Sequence, residues 1–265
     1  MTAGHCFAED NPNNWNIEIE DFTLAFGVDD IADLEDAIKL QFLPIQTRKI
    51  TKKSLHPYKT YNYPRAYNDV LVIEVSPKVD LGPQTWPLCL PDAPNTNANH
   101  LMGDFAELIG YGPETDDSTD LNLITKRIED RLTCDFLYNP DNVGFDKRDR
   151  VLADLPNDFN DTSVICASVS SSTAKGTCPG DSGAPLMKKT RKIRDGKLVS
   201  ETTLIAVLHG GLIRCDNSVF PGIYTRITVP HIWNWLMNKF INKVEEEKGN
   251  YQIHGAGGVK YDKKC

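Results

Sequence analysis

The sequence predicts an all-β protein that ends in one α-helix. Its apolar runs are short, and those at residues 70–75 and 204–208 have the length of buried strands. Near the end of the chain, residues 231–244 instead place apolar side chains on one face of a helix. At 265 residues the chain has a size at which β-rich folds commonly form a single domain.

The first half of the chain contains one predicted exception to the β pattern. Within residues 29–40, Ile31, Leu34 and Ile38 lie at helical spacing behind acidic candidates for the N-cap, which predicts a short helix. Residues 70–75 then form a strand. An Asn- and Pro-rich linker follows and runs to about residue 103, before the next strands begin near Phe105.

The second half is predicted to contain a hairpin and the terminal helix. The Asp195-Gly196 pair is typical of a tight turn, and it lies inside the basic segment 188–203. That segment has two interpretations, a patch that steers an acidic partner or an edge hairpin kept soluble by its charge. The helix is predicted over residues 231–244, and the Gly-containing tail over residues 245–265 is predicted to be disordered.

The composition excludes several classes of partner. A net charge of −8 argues against nucleic acid. No apolar stretch approaches the length of a membrane span, so no membrane contact is expected. The seven cysteines are scattered without Cys-x-x-Cys spacing, so the sequence predicts no metal site and no cofactor.

Three short motifs carry groups for nucleophilic catalysis. They are Gly-Asp-Ser-Gly at residues 180–183, Thr-Ala-Gly-His-Cys at residues 2–6, and an aspartate, Asp69, at the start of the strand at 70–75. A serine hydroxyl becomes a strong nucleophile when an imidazole takes its proton, and a buried carboxylate holds that imidazole in the right tautomer. The order His, Asp, Ser is one of three known orders of such a triad.

The context of these motifs resembles the trypsin- and chymotrypsin-like serine proteases, the S1 peptidases. Cys178-Pro179 precedes the Gly-Asp-Ser-Gly, Ala184-Pro185-Leu186 follows it, and Pro-Gly-Ile-Tyr-Thr-Arg-Ile lies at residues 221–227. The resemblance runs from residue 2 to about residue 240. It implies two six-stranded Greek-key β-barrels with a C-terminal helix, at about residues 1–90, 104–230 and 231–244, with the first barrel incomplete.

The resemblance also implies the role of each motif residue. His5 is the expected general base and acid, Asp69 orients it, and Ser182 is the acylated nucleophile. The backbone N–H groups of Gly180 and Ser182 would form the oxyanion hole. Taken alone, His5 could be an ordinary histidine and Asp69 a cap, although a carboxylate at the mouth of a buried strand is costly without a partner.

The implied substrate pocket is uncharged. Gly176 stands at its base, where trypsin-like members carry an aspartate, so large apolar or aromatic side chains are the expected specificity. The family's Ser-Trp-Gly strand is replaced by His209-Gly210-Gly211, and His209 is expected either to contact Asp69 or to compete with His5 for it. Gly211 and Gly222 would form the walls of an open slot. The full substrate-binding set is Gly176, Thr177, His209, Gly210, Gly211 and Gly222.

Two disulfides are implied by the resemblance, Cys134–Cys166 and Cys178–Cys215. Each would close a loop of some 30 to 40 residues, which stabilises by about 3 to 4 kcal/mol. The family partners of Cys6 and Cys89 are absent, and Cys265 has no assignment. Disulfides require an oxidising compartment, so the protein is expected to be extracellular, although the chain carries no signal peptide.

The family's N-terminal strands are missing before His5, which suggests a truncated translation of a longer secreted protein. In the family a freed N-terminal amine pairs with the aspartate before the nucleophile, here Asp181. Without that amine this chain is expected to be zymogen-like or inactive.

Two functions remain open at this stage. The first is a secreted serine endopeptidase, a monomer whose partners are protein or peptide substrates and protease inhibitors. The alternative is a catalytically impaired protease-fold protein with a binding or regulatory role.

Overall fold

Nine strands, two α-helices and one 3₁₀ turn make up the part of the chain that the computed structural model describes. The described residues are 1–7, 19, 22–32, 34, 45–55, 68–97, 99–112, 119–138, 163–170, 176–194, 196–211 and 221–247. Most of the predicted helix at 29–40, Cys215 and the tail beyond residue 247 lie outside these ranges.

The N-terminal half forms an open antiparallel sheet of three strands in the order β1-β2-β3. Strand β1 is Thr23–Phe26, β2 is Gln46–Leu55 and β3 is Leu71–Ser76. A separate bridge joins Thr2 to Leu71 through two backbone hydrogen bonds of 2.9 and 2.8 Å. This bridge places the N-terminal residues directly beside the start of β3.

The C-terminal half forms a closed six-stranded barrel in the order β4-β5-β6-β9-β8-β7. In chain order these strands are β4 (Phe105–Gly110), β5 (Asn122–Ile128), β6 (Val164–Val169), β7 (Pro185–Arg194), β8 (Lys197–Gly210) and β9 (Gly222–Arg226). A short helix, α1 (Arg131–Tyr138), lies between β5 and β6. The prediction of a β fold with two sheets and a C-terminal helix is confirmed; the second half closes into the six-stranded barrel, and the described part of the first half contributes three strands.

An apolar cluster connects the two halves of the molecule. It combines Ala3 and Val70 from the first half with Val207 of the barrel and with Ile232 and Leu236 of the terminal helix α2 (Pro230–Glu247). Burying a side chain of the size of Leu or Ile contributes about 1.5 to 3 kcal/mol. The helix therefore packs across the junction and stabilises the contact between the two halves. It begins one residue before and ends three residues after its predicted limits of 231 and 244.

The hairpin of β7 and β8 has the predicted turn. Arg194 faces Lys197 across the ladder, and Gly196 adopts φ +73°, a conformation that suits glycine. Basic side chains on β7 are paired with acids: Lys188 contacts Asp104, and Lys189 lies 2.8 Å from Glu107. These ion pairs favour the interpretation of a soluble edge hairpin.

The described cysteines confirm one predicted disulfide. Cys134 of α1 is bonded to Cys166 of β6, with a Cα–Cα distance of 6.3 Å. Cys178 is also disulfide-bonded, and its predicted partner Cys215 lies outside the described residues. Cys89, whose partner the sequence leaves unassigned, is also disulfide-bonded. Cys6 is free and exposed.

Within the described ranges, no helix is long and apolar enough to cross a membrane.

Candidate active site

Asp69 is the centre of the site and lies where the chain turns into β3. The preceding residue, Asn68, has φ +55°, and the N–H of Val70 donates to the Asn68 carbonyl at 2.8 Å. Asn68 tolerates this left-handed conformation better than most residues. Its side chain also contacts His231 of α2 at 2.7 Å. The turn directs the Asp69 side chain into the interior, where it has no exposed surface.

His5 lies in the 3₁₀ turn Gly4–Phe7, which the bridge from Thr2 to Leu71 holds against β3. The backbone N–H of His5 donates to Asp69 Oδ1 at 2.8 Å. The ring Nδ1 lies 2.6 Å from Asp69 Oδ2. Two contacts therefore orient the imidazole, and they join residues that are 64 positions apart.

His209, at the end of β8, reaches the same carboxylate oxygen. Its Nδ1 is 2.6 Å from Asp69 Oδ2, and the rings of His5 and His209 lie edge to face with centroids 5.0 Å apart. The sequence left open whether His209 contacts Asp69 or competes with His5 for it. Both hold, because His209 contacts Asp69 at the same carboxylate oxygen that His5 contacts.

This arrangement shifts the pKa of both members of the pair. Burial alone would lower the pKa of His5, but the hydrogen bonds to Asp69 and Cys6 and the charge of Asp69 raise it well above 6.5. Burial alone would raise the pKa of Asp69, but hydrogen bonds and positive charge from His209 and His5 hold it well below 3.8. The two groups therefore favour an ion pair at neutral pH.

Ser182 lies on a tight turn that two glycines make possible. Gly180 has φ +99° and Gly183 has φ +86°. A Cβ on Gly183 would lie 2.1 Å from Thr2 Oγ1, so the turn and the N-terminal segment can approach this closely only at glycine. The turn is fixed to the barrel because the Gly183 N–H donates to the Leu208 carbonyl at 2.9 Å.

The hydroxyl of Ser182 is close to the pair but points to a different acceptor. Its Oγ donates to the His209 carbonyl at 3.3 Å. Across the described part of the chain, no hydrogen bond joins it to His5. The Sγ of Cys6 lies 4.0 Å from His5 Nε2, the nitrogen that a nucleophilic serine would use. Such serine–histidine hydrogen bonds are often long without substrate and tighten in the complex.

Asp181 is buried behind the turn and is bound by backbone donors. Gly112 N–H donates to its Oδ1 at 2.7 Å, and Cys178 N–H donates to its Oδ2 at 2.8 Å. The positive charge of buried Lys126 also interacts with it. Among the described residues, the backbone N–H groups of Gly180 and Ser182 make no hydrogen bond, so both are free to bind an anionic oxygen.

The residues predicted to form the pocket lie together. Gly176 and Thr177 are buried, and Thr177 lies between the predicted walls, since a Cβ on Gly211 would be 2.3 Å from its Oγ1 and a Cβ on Gly222 would be 3.0 Å from its Cγ2. Gly210 has open space where a side chain would be. Thr177 therefore lies against both predicted walls of the pocket.

A six-stranded barrel with a His–Asp pair and a turn-borne serine at its junction with a second sheet is the arrangement that the resemblance to the trypsin-like serine proteases implies. The family model for trypsin matches residues 1–236 of this chain, and the chain belongs to that family.

Similar proteins support the same assignment. Over 243 residues the chain is 24% identical to CLIP domain-containing serine protease HP8 of Bombyx mori, a match that covers 90% of this chain and 58% of the relative. It is 27% identical over 245 residues to transmembrane protease serine 11A of Homo sapiens, covering 90% of this chain and 46% of the relative. The chain thus spans less than two thirds of the length of these relatives.

A solved structure shows the same fold. The chain superimposes on neuropsin, a serine protease expressed in the limbic system of mouse brain, with a TM-score of 0.58 at 21% identity, covering 90% of this chain and 83% of that one.

Proposed function

We propose that the protein is a secreted serine endopeptidase that uses His5, Asp69 and Ser182 as its triad. The observation that carries this proposal is the doubly anchored His5, with its backbone and ring nitrogens 2.8 and 2.6 Å from the two oxygens of one buried carboxylate. A merely structural histidine needs only one of these contacts. The ring contact fixes the tautomer with the proton on Nδ1, and it leaves Nε2 to accept a proton.

In the proposed reaction His5 Nε2 takes the proton of Ser182 Oγ as that oxygen bonds to the substrate carbonyl carbon. The carbonyl oxygen becomes an anion and accepts hydrogen bonds from the free N–H groups of Gly180 and Ser182. His5 then gives its proton to the peptide nitrogen, the C–N bond breaks, and an acyl-enzyme remains. A water molecule repeats the sequence and releases the acid.

The chemistry requires a movement of Ser182. Its hydroxyl must rotate from the His209 carbonyl to His5 Nε2, beside which Cys6 Sγ now lies. The Asp181 carboxylate is bound by two backbone N–H groups, and no ammonium group forms an ion pair with it among the described residues. We associate this state with a zymogen-like form of this chain, in which the turn is present but not yet locked by an amine.

The proposed specificity is for large apolar or aromatic side chains before the cleaved bond. Gly176 leaves no carboxylate at the base of the pocket to pair with arginine or lysine, and the hydroxyls of Thr177 and Tyr224 near Gly211 and Gly222 are uncharged. A cation buried there would lack a partner, which costs several kcal/mol.

Location and partners follow from the same proposal. The Cys134–Cys166 bridge requires an oxidising compartment, which supports an extracellular protein. Its partners would be protein substrates and protease inhibitors, and it would act as a monomer. The two sheets would form one protease domain of about residues 1–244, with a tail beyond it.

The test is cleavage of a mixed peptide library by the full chain. We expect slow cuts, as from a zymogen-like form, after Phe, Tyr and Leu; they should vanish in Ser182→Ala and persist in Ser200→Ala, a control serine exposed on β8. Preferred cuts after Arg or Lys would contradict the proposed pocket. If the folded, disulfide-bonded protein makes no cuts that depend on Ser182, the result would support the non-catalytic alternative.

A further inference from the structure

The proposed protease mechanism uses His5 and Asp69 but gives no step to His209. Yet the Nδ1 atoms of both histidines lie 2.6 Å from one atom, Asp69 Oδ2. Ligand-capable atoms of the three residues all lie within 4.8 Å of one another. Two imidazole nitrogens and a carboxylate oxygen thus converge on one point in the molecule.

The hydrogen-bonded form of this cluster requires a proton on each Nδ1 atom. If both protons leave, three lone pairs face the same small volume, and a divalent cation can replace the protons. Zinc takes nitrogen ligands at about 2.0–2.1 Å and carboxylate oxygen at about 2.0–2.2 Å, usually in tetrahedral geometry. Opening the 2.6 Å contacts to that geometry requires ring movements of less than about 1 Å.

The chemistry of the ligands selects the metal. Two histidines and one carboxylate suit Zn²⁺, with Co²⁺ as a spectroscopic substitute, and are too few in oxygen for Ca²⁺ or Mg²⁺. The rings of His5 and His209 are 22% and 16% exposed, so water can fill a fourth position. Asp69 Oδ1 is already held by the His5 N–H at 2.8 Å, which orients the carboxylate as an outer-shell partner would.

We propose that His5, Asp69 and His209 form a Zn²⁺ site, and that zinc reversibly inhibits the enzyme. The inhibitory part rests on the proposed protease function. Zinc on His5 Nδ1 places the proton of the neutral ring on Nε2, and a protonated Nε2 cannot accept the proton of Ser182. Zinc also occupies the Asp69 oxygen that would stabilise the imidazolium.

Binding is tested on the Ser182→Ala protein, which keeps the three ligands and cannot digest itself. We expect one Zn²⁺ per chain by calorimetry and a visible absorption band with Co²⁺. His209→Ser removes one ligand and should weaken zinc binding by at least about 100-fold, since losing even an outer-shell partner costs about 10- to 100-fold. His209→Asn, closer in size to histidine, should do the same.

Two control variants locate the metal. His100→Gln removes an imidazole outside the cluster, and Cys6→Ser removes the thiol near His5; both should leave zinc affinity within about two-fold. No binding below millimolar zinc would overturn the site. Equal binding by folded His209→Ser and His209→Asn proteins would overturn it as well, because zinc would then bind elsewhere.

Inhibition is measured separately as the rate at which a fluorophosphonate labels Ser182 in the otherwise unchanged chain. Zinc at saturation should slow labelling at least about 10-fold, EDTA should restore the rate, and His209→Ser should label at a rate that zinc does not change. Zinc binding without labelling under any condition would leave the metal site standing and refute the protease. If zinc binds at this site but does not slow labelling, the proposed inhibition is refuted.

Discussion

At the scale of single residues, the site depends on one buried carboxylate. Asp69 accepts a backbone N–H and is contacted by two imidazoles, so its charge is compensated although no part of it is exposed. Leaving such a charge unpaired would cost several kcal/mol. The same contacts set the protonation of His5, which decides when the proposed base can act.

The first prediction concerns the pH dependence of activity. The pKa of His5 is raised in the folded protein, and the base must be neutral, so labelling of Ser182 by a fluorophosphonate should rise with pH through a value above 6.5. Asp69→Asn should move this acid limb down and reduce the rate by about 10⁴-fold. If the acid limb of the pH–rate profile of the parent protein has its midpoint at or below pH 6.5, the ion pair between His5 and Asp69 is contradicted.

The raised pKa of His5 also makes the free energy of unfolding depend on pH. Because the folded state binds the His5 proton more tightly than the unfolded state, this stabilisation is complete below pH 6.5 and is lost as pH rises through the raised pKa.

The second prediction concerns Lys126, which points into the barrel from β5 and is 1% exposed. Burial lowers its pKa from 10.5 to about 8, only partly opposed by the charge of Asp181. The unfolded chain therefore binds this proton more tightly, and the free energy of unfolding should rise between pH 8 and 10.5.

Urea unfolding of the parent and of Lys126→Met at pH 7.5, 8.5 and 9.5 measures this contribution. The parent should gain up to about 3 kcal/mol relative to the variant across the full window. Parallel stability curves for the two proteins would show that the lysine is not desolvated as the structure indicates.

At the scale of elements, the turn at residues 180–183 joins the nucleophile to both halves of the molecule. Gly183→Ala places a methyl group 2.1 Å from Thr2 Oγ1 at φ +86°, so two penalties add. We expect a loss of more than about 2 kcal/mol in unfolding free energy, together with loss of Ser182 labelling.

Gly196→Ala is the matched control for this third prediction. Gly196 has φ +73°, and no atom lies within 4 Å of the position of a new Cβ. Only the backbone penalty of about 1 to 2 kcal/mol therefore applies, and Ser182 labelling should be retained. Equal effects of the two substitutions on both measurements would mean that the close approach of Thr2 to the turn does not matter.

The terminal helix and the hairpin show which elements local patterns can predict. The face of α2 was evident from its apolar spacing, and the β7–β8 turn from one Asp-Gly pair. The ends of the helix were less evident. Pro230 starts it, as proline often does at a first helical position, and the acidic residues up to Glu247 extend it without any apolar signal.

At the scale of the whole molecule, the fourth prediction concerns the bridge that ties α1 to β6. Cys134→Ser combined with Cys166→Ser frees a loop with a sequence separation of 32 residues. The chain-entropy argument gives a loss of about 3 to 4 kcal/mol in unfolding free energy, which urea unfolding can measure. A loss below about 1 kcal/mol would mean that the loop is already restricted in the unfolded chain.

The sequence predicted the cluster of His5, Asp69 and Ser182 because each lies in a motif with a local signature. It left the role of His209 open, since only the fold shows that β8 delivers this ring to the oxygen that His5 uses. The burial of Lys126 was not predicted, because the side on which one residue of a strand faces depends on barrel closure. The sequence also left the bonding of Cys89 open, because the chain offers no cysteine at the position of its family partner.

The central claim is that Ser182 is a nucleophile activated by His5 and Asp69. The most direct test is intact-mass detection of a fluorophosphonate adduct on secreted, disulfide-bonded protein, compared with Ser182→Ala and His5→Gln. The account predicts one adduct per chain, absent in Ser182→Ala and formed at least about 10³-fold more slowly in His5→Gln. An adduct that forms equally fast without His5, or no adduct on folded protein, would contradict it.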